Sequence, residues 1–199
     1  MLITFEGIEG SGKTTQVELL RRWLADRSPV VLREPGVTAL GERVRGLLLH
    51  AEDMPVSPQA ELYLFLAARA ELVDEVVKPA LDSGRIVVID RYQDSTSAYQ
   101  GGARGLDVDW PAAFPVPDVT FLLALPAEVG LDRRQAAGGE NRIDAEELDF
   151  HEAVAAAYDR MAASEPERWV RLDATLSQEA LHQAVRERVS SMLEVSTSS

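Results

Sequence analysis

The stretch GIEGSGKTT (7–15) places Gly7, Gly12, Lys13 and Thr14 at the spacing G-x-x-x-x-G-K-[ST]. Glycines at these points let backbone N–H groups curl around phosphate oxygens, and a helix starting at the loop's end adds the positive end of its dipole. On this reading Gly7, Ile8, Glu9, Gly10, Ser11, Gly12, Lys13, Thr14 and Thr15 surround the phosphates of a nucleotide. Lys13 reaches the outer phosphates and Thr14 offers its hydroxyl to Mg²⁺. Asp90 closes the apolar run RIVVID, where a second metal-side carboxylate is wanted; taken alone it would serve equally as a cap for the next loop. Glu9 is the odd residue, because an acid is repelled by bound phosphate. It needs a different partner, or it is a solvated loop carboxylate.

Outside the loop, arginines stand beside turns or small residues in REPGVT (33–38), GERVR (41–45), FLAAR (65–69) and DRYQDSTSAYQGGARG (90–105). Phe65 and Arg69 are four apart and share a helix face. A ring beside a guanidinium suits a planar base with carbonyl oxygens. On spacing alone the plainer reading, a core ring and a snorkelling arginine, is the stronger one.

These residues need elements to hold them. LITFEG reads as a buried strand that delivers the loop, and KTTQVELLRRWLADR as the amphipathic helix that leaves it. PVVLREPG, GRIVVIDRY, PDVTFLLAL and RWVRLDA give four more strands. Helices are expected over 38–50 with Thr38 as N-cap, over 57–81, over 126–136, over 150–163 and over 177–194. DSTSAYQGGARG begins helical and dissolves at its glycines. The polar stretch 132–144 has the composition of a flap, with the lid as a whole spanning 132–148, and 195–199 reads as a frayed tail. Strands alternating with helices predict a single α/β domain over 1–199, with a parallel sheet of about five strands covered by helices on both faces.

The totals narrow the class. A chain of 199 residues with 46% hydrophobic and 27% charged residues suits one packed domain. A net charge of −13 argues against broad binding to nucleic acid or to an anionic membrane, so the 20 Lys and Arg matter by position. Without cysteine there is no disulfide or thiolate metal site, and no apolar run approaches the roughly 20 residues that span a bilayer. A cytoplasmic protein is expected. No N/T-K-x-D segment is present to read guanine, which removes the signalling GTPases.

The chain resembles the thymidylate kinase family of P-loop nucleoside monophosphate kinases, in its bacterial subtype. The likeness runs through FEGIEGSGKTT, REPGVTALGERVR, LFLAARAE, DRYQDSTSAYQGGARG, PDVTFLLAL and NRIDAEELDFHEAV, in the family's order. It implies the P-loop NTPase-type fold with a short lid, and ATP-dependent phosphorylation of dTMP to dTDP, a step toward dTTP, with Mg²⁺ as cofactor. It also implies a homodimer. By position, Phe65 looks like the ring that stacks on thymine, Arg69 like the partner of a base carbonyl, and Thr96 and Gln100 like further base contacts. Tyr99 is similar to the aromatic that crowds the sugar 2′ position. Arg45 and Arg91 match arginines on the dTMP phosphate, and Pro35 lies near the nucleoside. Glu9 is implied to meet the 3′-hydroxyl of dTMP or Mg²⁺-bound water. With Gly10-Ser11 in the loop, the lid must bring the catalytic cation. Arg133, Arg134 and Arg142 are the candidates, Arg142 first, beside Lys13 and Arg91. EPGVT departs from the commoner EPGGT, a change accommodated if Val37 keeps a negative φ. Other readings are a kinase for a different nucleoside or nucleotide, or a nucleotide-dependent switch module.

Overall fold

The computed structural model describes residues 1–49, 54–138 and 141–197. Among these, five strands form one parallel sheet: β1 (Leu2–Glu6), β2 (Val30–Arg33), β3 (Val87–Asp90), β4 (Val119–Ala124) and β5 (Trp169–Asp173), in the order β2-β3-β1-β4-β5. β1 is buried at all five positions, as a central strand with helices on both faces must be. Its residues alternate between the faces. Ile3 and Phe5 pack with Val88 and Phe121 under α1 (Lys13–Trp23) and α8 (Gln178–Thr197). On the other face Leu2 packs with Val87 and Ile89, against the helical stretch that starts with α3 (Pro58–Leu72). α2 (Ala39–Leu49) lies on α3 through Val44, Leu48 and Ala68.

The caps follow the sequence. Thr38 Oγ1 accepts from the Gly41 N–H at 2.9 Å, and Ser57 Oγ accepts from Ala60 at 3.3 Å, with Pro58 next to it. The expected 57–81 helix has an irregularity: a π-helical turn (Val73–Val77) separates α3 from α4 (Lys78–Asp82). Pro79 lacks an N–H and crowds the carbonyl four residues back, and a wider turn there relieves both problems.

The glycines after Tyr99 do not end their helix. α5 (Gln93–Thr96) continues as π-helical turns through Ala103. Gly102 is needed there because a Cβ would sit 2.4 Å from that of Ala157, on α7 (Leu148–Ser164). Close approach, not chain termination, explains that residue. Two other boundaries also differ. Asp132–Ala136 belong to α6 (Ala127–Ala136) and Leu148 opens α7, so the non-helical part of the expected lid is shorter than 132–148. The tail is helical through Thr197, since α8 continues past Glu194. His50, Gly139, Glu140, Ser198 and Ser199 lie outside the described residues.

Register decides where the chemistry gathers. Phe5 and Arg33 both stand opposite Asp90, so the carboxyl ends of β1, β2 and β3 finish level. Glu6, Glu34 and Arg91 follow at once, and ligands in open parallel sheets bind beyond such ends.

Candidate active site

The loop after β1 folds as its glycines require. Gly7 has φ 137, and a Cβ on it would lie 2.6 Å from the Leu123 carbonyl oxygen. Lys13, the first residue of α1, is buried and curls back into the loop. Its Nζ donates to the carbonyls of Gly7 (3.0 Å) and Ile8 (2.7 Å) and to Ser11 Oγ (3.2 Å). Burial, with Arg91 nearby, pulls its amino group down to about 8, and carboxylates including Asp90 and Glu9 oppose that fall. Thr14 Oγ1 donates to Asp90 Oδ2 at 2.7 Å. The two residues expected on the metal side therefore meet across the loop.

Arg91, directly after β3, has φ 66, a left-handed conformation unusual for a side-chain-bearing residue. That turn sends its guanidinium to Glu9, Nη2 to Oε1 at 2.9 Å, and over the ring of Tyr99 at 5.1 Å. Tyr99 donates its hydroxyl to the same Oε1 at 2.6 Å. Burial favours the neutral acid at Glu9, yet Arg91 and the other donors outweigh it, so the carboxyl is held well below the usual carboxylate range. The acid in the phosphate loop is thus a buried, ion-paired group rather than a solvated carboxylate.

One cavity of about 670 Å³ runs from this loop to α3, a size in the range of small-molecule sites. Lys13, Thr14 and Asp90 line one part of it. Pro35, Arg45, Phe65, Arg69, Thr96, Tyr99 and Gln100 line another, with Glu9 and Arg91 between the two. The plainer reading fails for Arg69, which is 1% exposed and does not snorkel. Phe65 is half-buried: it packs on Val44, Leu48 and Ala68 as a core ring would, and it also lines the cavity. Its fork donates to Glu34 Oε2 (2.6 Å), Gln93 Oε1 and Thr96 Oγ1 (both 2.8 Å) and the Tyr92 carbonyl (3.1 Å). Burial raises the carboxyl of Glu34, against the pull of Arg69. Removing either partner would strand a buried charge. Arg45 donates to the Pro35 carbonyl at 2.9 Å.

Val37 does not keep a negative φ; it has φ 77. Its N–H donates to Glu42 Oε1 at 2.9 Å, an anchor that helps hold a β-branched residue in a glycine-like conformation.

The three arginines expected to act from a lid separate. Arg134 lines the cavity and donates to Asp144 Oδ2 at 2.9 Å and to the Gly138 carbonyl at 3.0 Å. Arg133 donates to the Ala174 carbonyl at 3.0 Å and is not part of the cavity wall. Arg142, also off that wall, donates to the Leu48 carbonyl at 2.9 Å and pairs with Glu61. Glu61 itself is buried and also takes Gln100 (2.9 Å) and Arg104 (3.3 Å).

Several of these partners went unread in the sequence. Glu34 and Glu61 are single acids inside motifs chosen for other residues. Glu6 was legible in principle, as a charge closing a buried strand. It accepts from the Tyr92 N–H (2.8 Å), Ser95 Oγ (2.6 Å) and Tyr158 OH (2.8 Å). Burial first, then the neighbouring Asp94, raises its carboxyl to about 7. His151 gave no signal at all, being one polar residue within an amphipathic helix.

A family profile described as thymidylate kinase matches residues 5–185. The chain is similar to the "Thymidylate kinase" of Thermomicrobium roseum, 50% identical over 193 residues that cover 92% of this chain and 91% of that one. It is also similar to the "Thymidylate kinase" of Desulfovibrio desulfuricans, 46% identical over 191 residues covering 88% of each. The crystal structure of thymidylate kinase from Ehrlichia chaffeensis superposes with a TM-score of 0.74 at 31% identity, over 95% of this chain and 98% of that one. A profile match over residues 5–185, relatives up to 50% identical across most of the chain and the shared five-stranded fold show that this chain belongs to the thymidylate kinase family.

Proposed function

We propose that the protein transfers the γ-phosphoryl group of ATP to dTMP, giving dTDP and ADP. The observation that carries this reading is the single cavity that joins the Lys13–Thr14 end to the Phe65 wall through Arg91. An acceptor phosphate oxygen is already an anion at neutral pH, so no strong base is required. That oxygen bonds to the γ-phosphorus as the bond to the β-phosphate oxygen breaks. Catalysis is then positioning plus neutralisation of charge. Lys13 takes charge on the donor phosphates, and Arg91 and Arg45 hold the acceptor phosphate. Phe65 stacks on the base, while Thr96, Gln100 and Arg69 fix its edge. Arg69 acts from inside a preset network, so its own orientation costs little on binding. Glu9 faces the acceptor sugar, and Tyr99 limits room at its 2′ position.

The Thr14–Asp90 pair suits Mg²⁺, which takes few protein oxygens and keeps waters and phosphate oxygens for the rest. When bound, the ion neutralises charge on the donor phosphates. Arg134, already at the cavity wall, and Arg142, one ion pair away from it, supply the lid cation, and the lid excludes the water that would hydrolyse ATP.

A homodimer fits this reading, with α2 and α3 as the contact. Leu40 and Leu47 are 41% and 40% exposed on one face of α2, and Tyr63 on α3 is 62% exposed. Tyr63→Glu then yields single chains by light scattering; an unchanged mass removes this patch from the interface. No helix among the described residues is long and apolar enough to cross a membrane, and we place the reaction in the cytoplasm, beside its two nucleotides.

The acceptor wall is tested by Phe65→Ala. Loss of stacking raises the KM for dTMP by about tenfold or more, with the KM for ATP within about twofold. Equal rises in both would show that Phe65 supports the fold and not the base.

A further inference from the structure

His151 lies in the first turn of α7 and is fully buried. Its Nδ1 is 3.2 Å from Glu9 Oε2. The two oxygens of Glu9 live in different surroundings. Oε1 takes both Arg91 and Tyr99, while Oε2 is buried and has no aligned hydrogen bond among the described residues. Among the described residues, His151 Nε2 is buried without a partner as well. An acceptor oxygen and a ring nitrogen that both lack other partners, 3.2 Å apart, identify each other. The ring is not yet aligned for a linear bond, and a small turn completes it. Phe150 supports that turn, meeting His151 edge-on at 5.5 Å and Tyr99 at 6.1 Å. A histidine that merely filled the core would leave a buried carboxylate oxygen unsatisfied, which costs more than a lost neutral bond.

We propose that His151 is a positioning residue for the acceptor nucleotide: its Nδ1–H anchors Glu9 Oε2 from behind, which keeps Oε1 and Arg91 at the wall that meets the acceptor's 3′-hydroxyl. The inference rests on the reading of Glu9 as the acceptor-side carboxylate. Tyr158, seven residues along the same helix face, grips Glu6 in the same way at 2.8 Å. α7 therefore holds both carboxylates around the start of the phosphate loop.

The test is a split of kinetic constants with two acceptors, dTMP and its 3′-deoxy analogue, using the full chain. His151→Phe keeps a ring against Phe150 and removes the donor, whereas His151→Asn retains a donor near Nδ1. His151→Phe is expected to raise the KM for dTMP about tenfold, the scale of one hydrogen bond to a charged group. The KM for ATP and the KM for the 3′-deoxy acceptor stay within about twofold, and His151→Asn restores most of the loss. A rise shared equally by both acceptors, or no rise, overturns the proposal. If the wild-type enzyme itself fails to prefer the 3′-hydroxyl, the reading of Glu9 falls first, before His151 is altered. Should His151→Phe not fold, nitrogen NMR of the wild-type imidazole decides. A proton on Nδ1 whose signal moves in Glu9→Gln supports the anchor, and a bare Nδ1 overturns it.

Discussion

The residues that line the cavity are held by partners distant in sequence, and that governs what each substitution does. Arg69 is set by Glu34, Gln93 and Thr96, which fix its guanidinium in one place. Glu9 is ionised because Arg91 faces it, and Arg91 faces it because its backbone adopts φ 66. Strain of this kind gathers at functional sites. Val37 carries a second strained position, φ 77, in the turn beside the cavity. A side chain in the left-handed region costs about 1–2 kcal/mol, and glycine gives back roughly 0.5–1 kcal/mol of that as chain entropy. Val37→Gly is therefore expected to stabilise the protein by about 1 kcal/mol in urea unfolding, and a loss of stability would mean that Val37 packs better than its backbone suggests.

At the scale of elements, the phosphate loop was legible because its logic is local: strand, glycines, lysine and helix are consecutive, and the structure builds them in that order. The five strands and the Thr38 N-cap were legible for the same reason. Arg69 was not, on spacing, because its burial depends on Glu34, which is 35 positions away. The glycines at 101–102 were misread as an end because Gly102 answers to a helix that packs across it. The lid divides its arginines in a way no spacing announces. Arg134 lines the cavity, and Arg142 is tied to Glu61 on α3, which also holds Gln100. Both cations are expected to act on the donor phosphates once the lid closes. Arg134→Ala and Arg142→Ala should each lower kcat by about tenfold to a thousandfold, with the KM for dTMP little changed for Arg134→Ala. Stopped-flow or coupled steady-state assays at saturating ATP separate the two constants. If one variant keeps wild-type kcat, that arginine is structural and the other carries the transfer.

Over the whole molecule, one parallel sheet sets the level ends of β1, β2 and β3 under a continuous cavity, and the helices complete its walls. On the proposed reading, donor and acceptor meet above the phosphate loop, with Glu9 and Arg91 at the boundary. The strong negative charge of the chain does not oppose this, because Arg33, Arg45, Arg69, Arg91 and Arg134 line the cavity, and the buried Glu34 on the same wall is paired with Arg69. The central claim is that this cavity selects thymine on a 5′-monophosphate and phosphorylates it. Measuring kcat/KM with ATP and Mg²⁺ across dTMP, dUMP, dCMP, dGMP and AMP tests it most directly. The account predicts the highest value for dTMP, with the purine and cytosine acceptors lower by at least about a hundredfold, since they leave the base-reading donors unpaired. A higher value for any other acceptor, or negligible turnover with all of them, would contradict it.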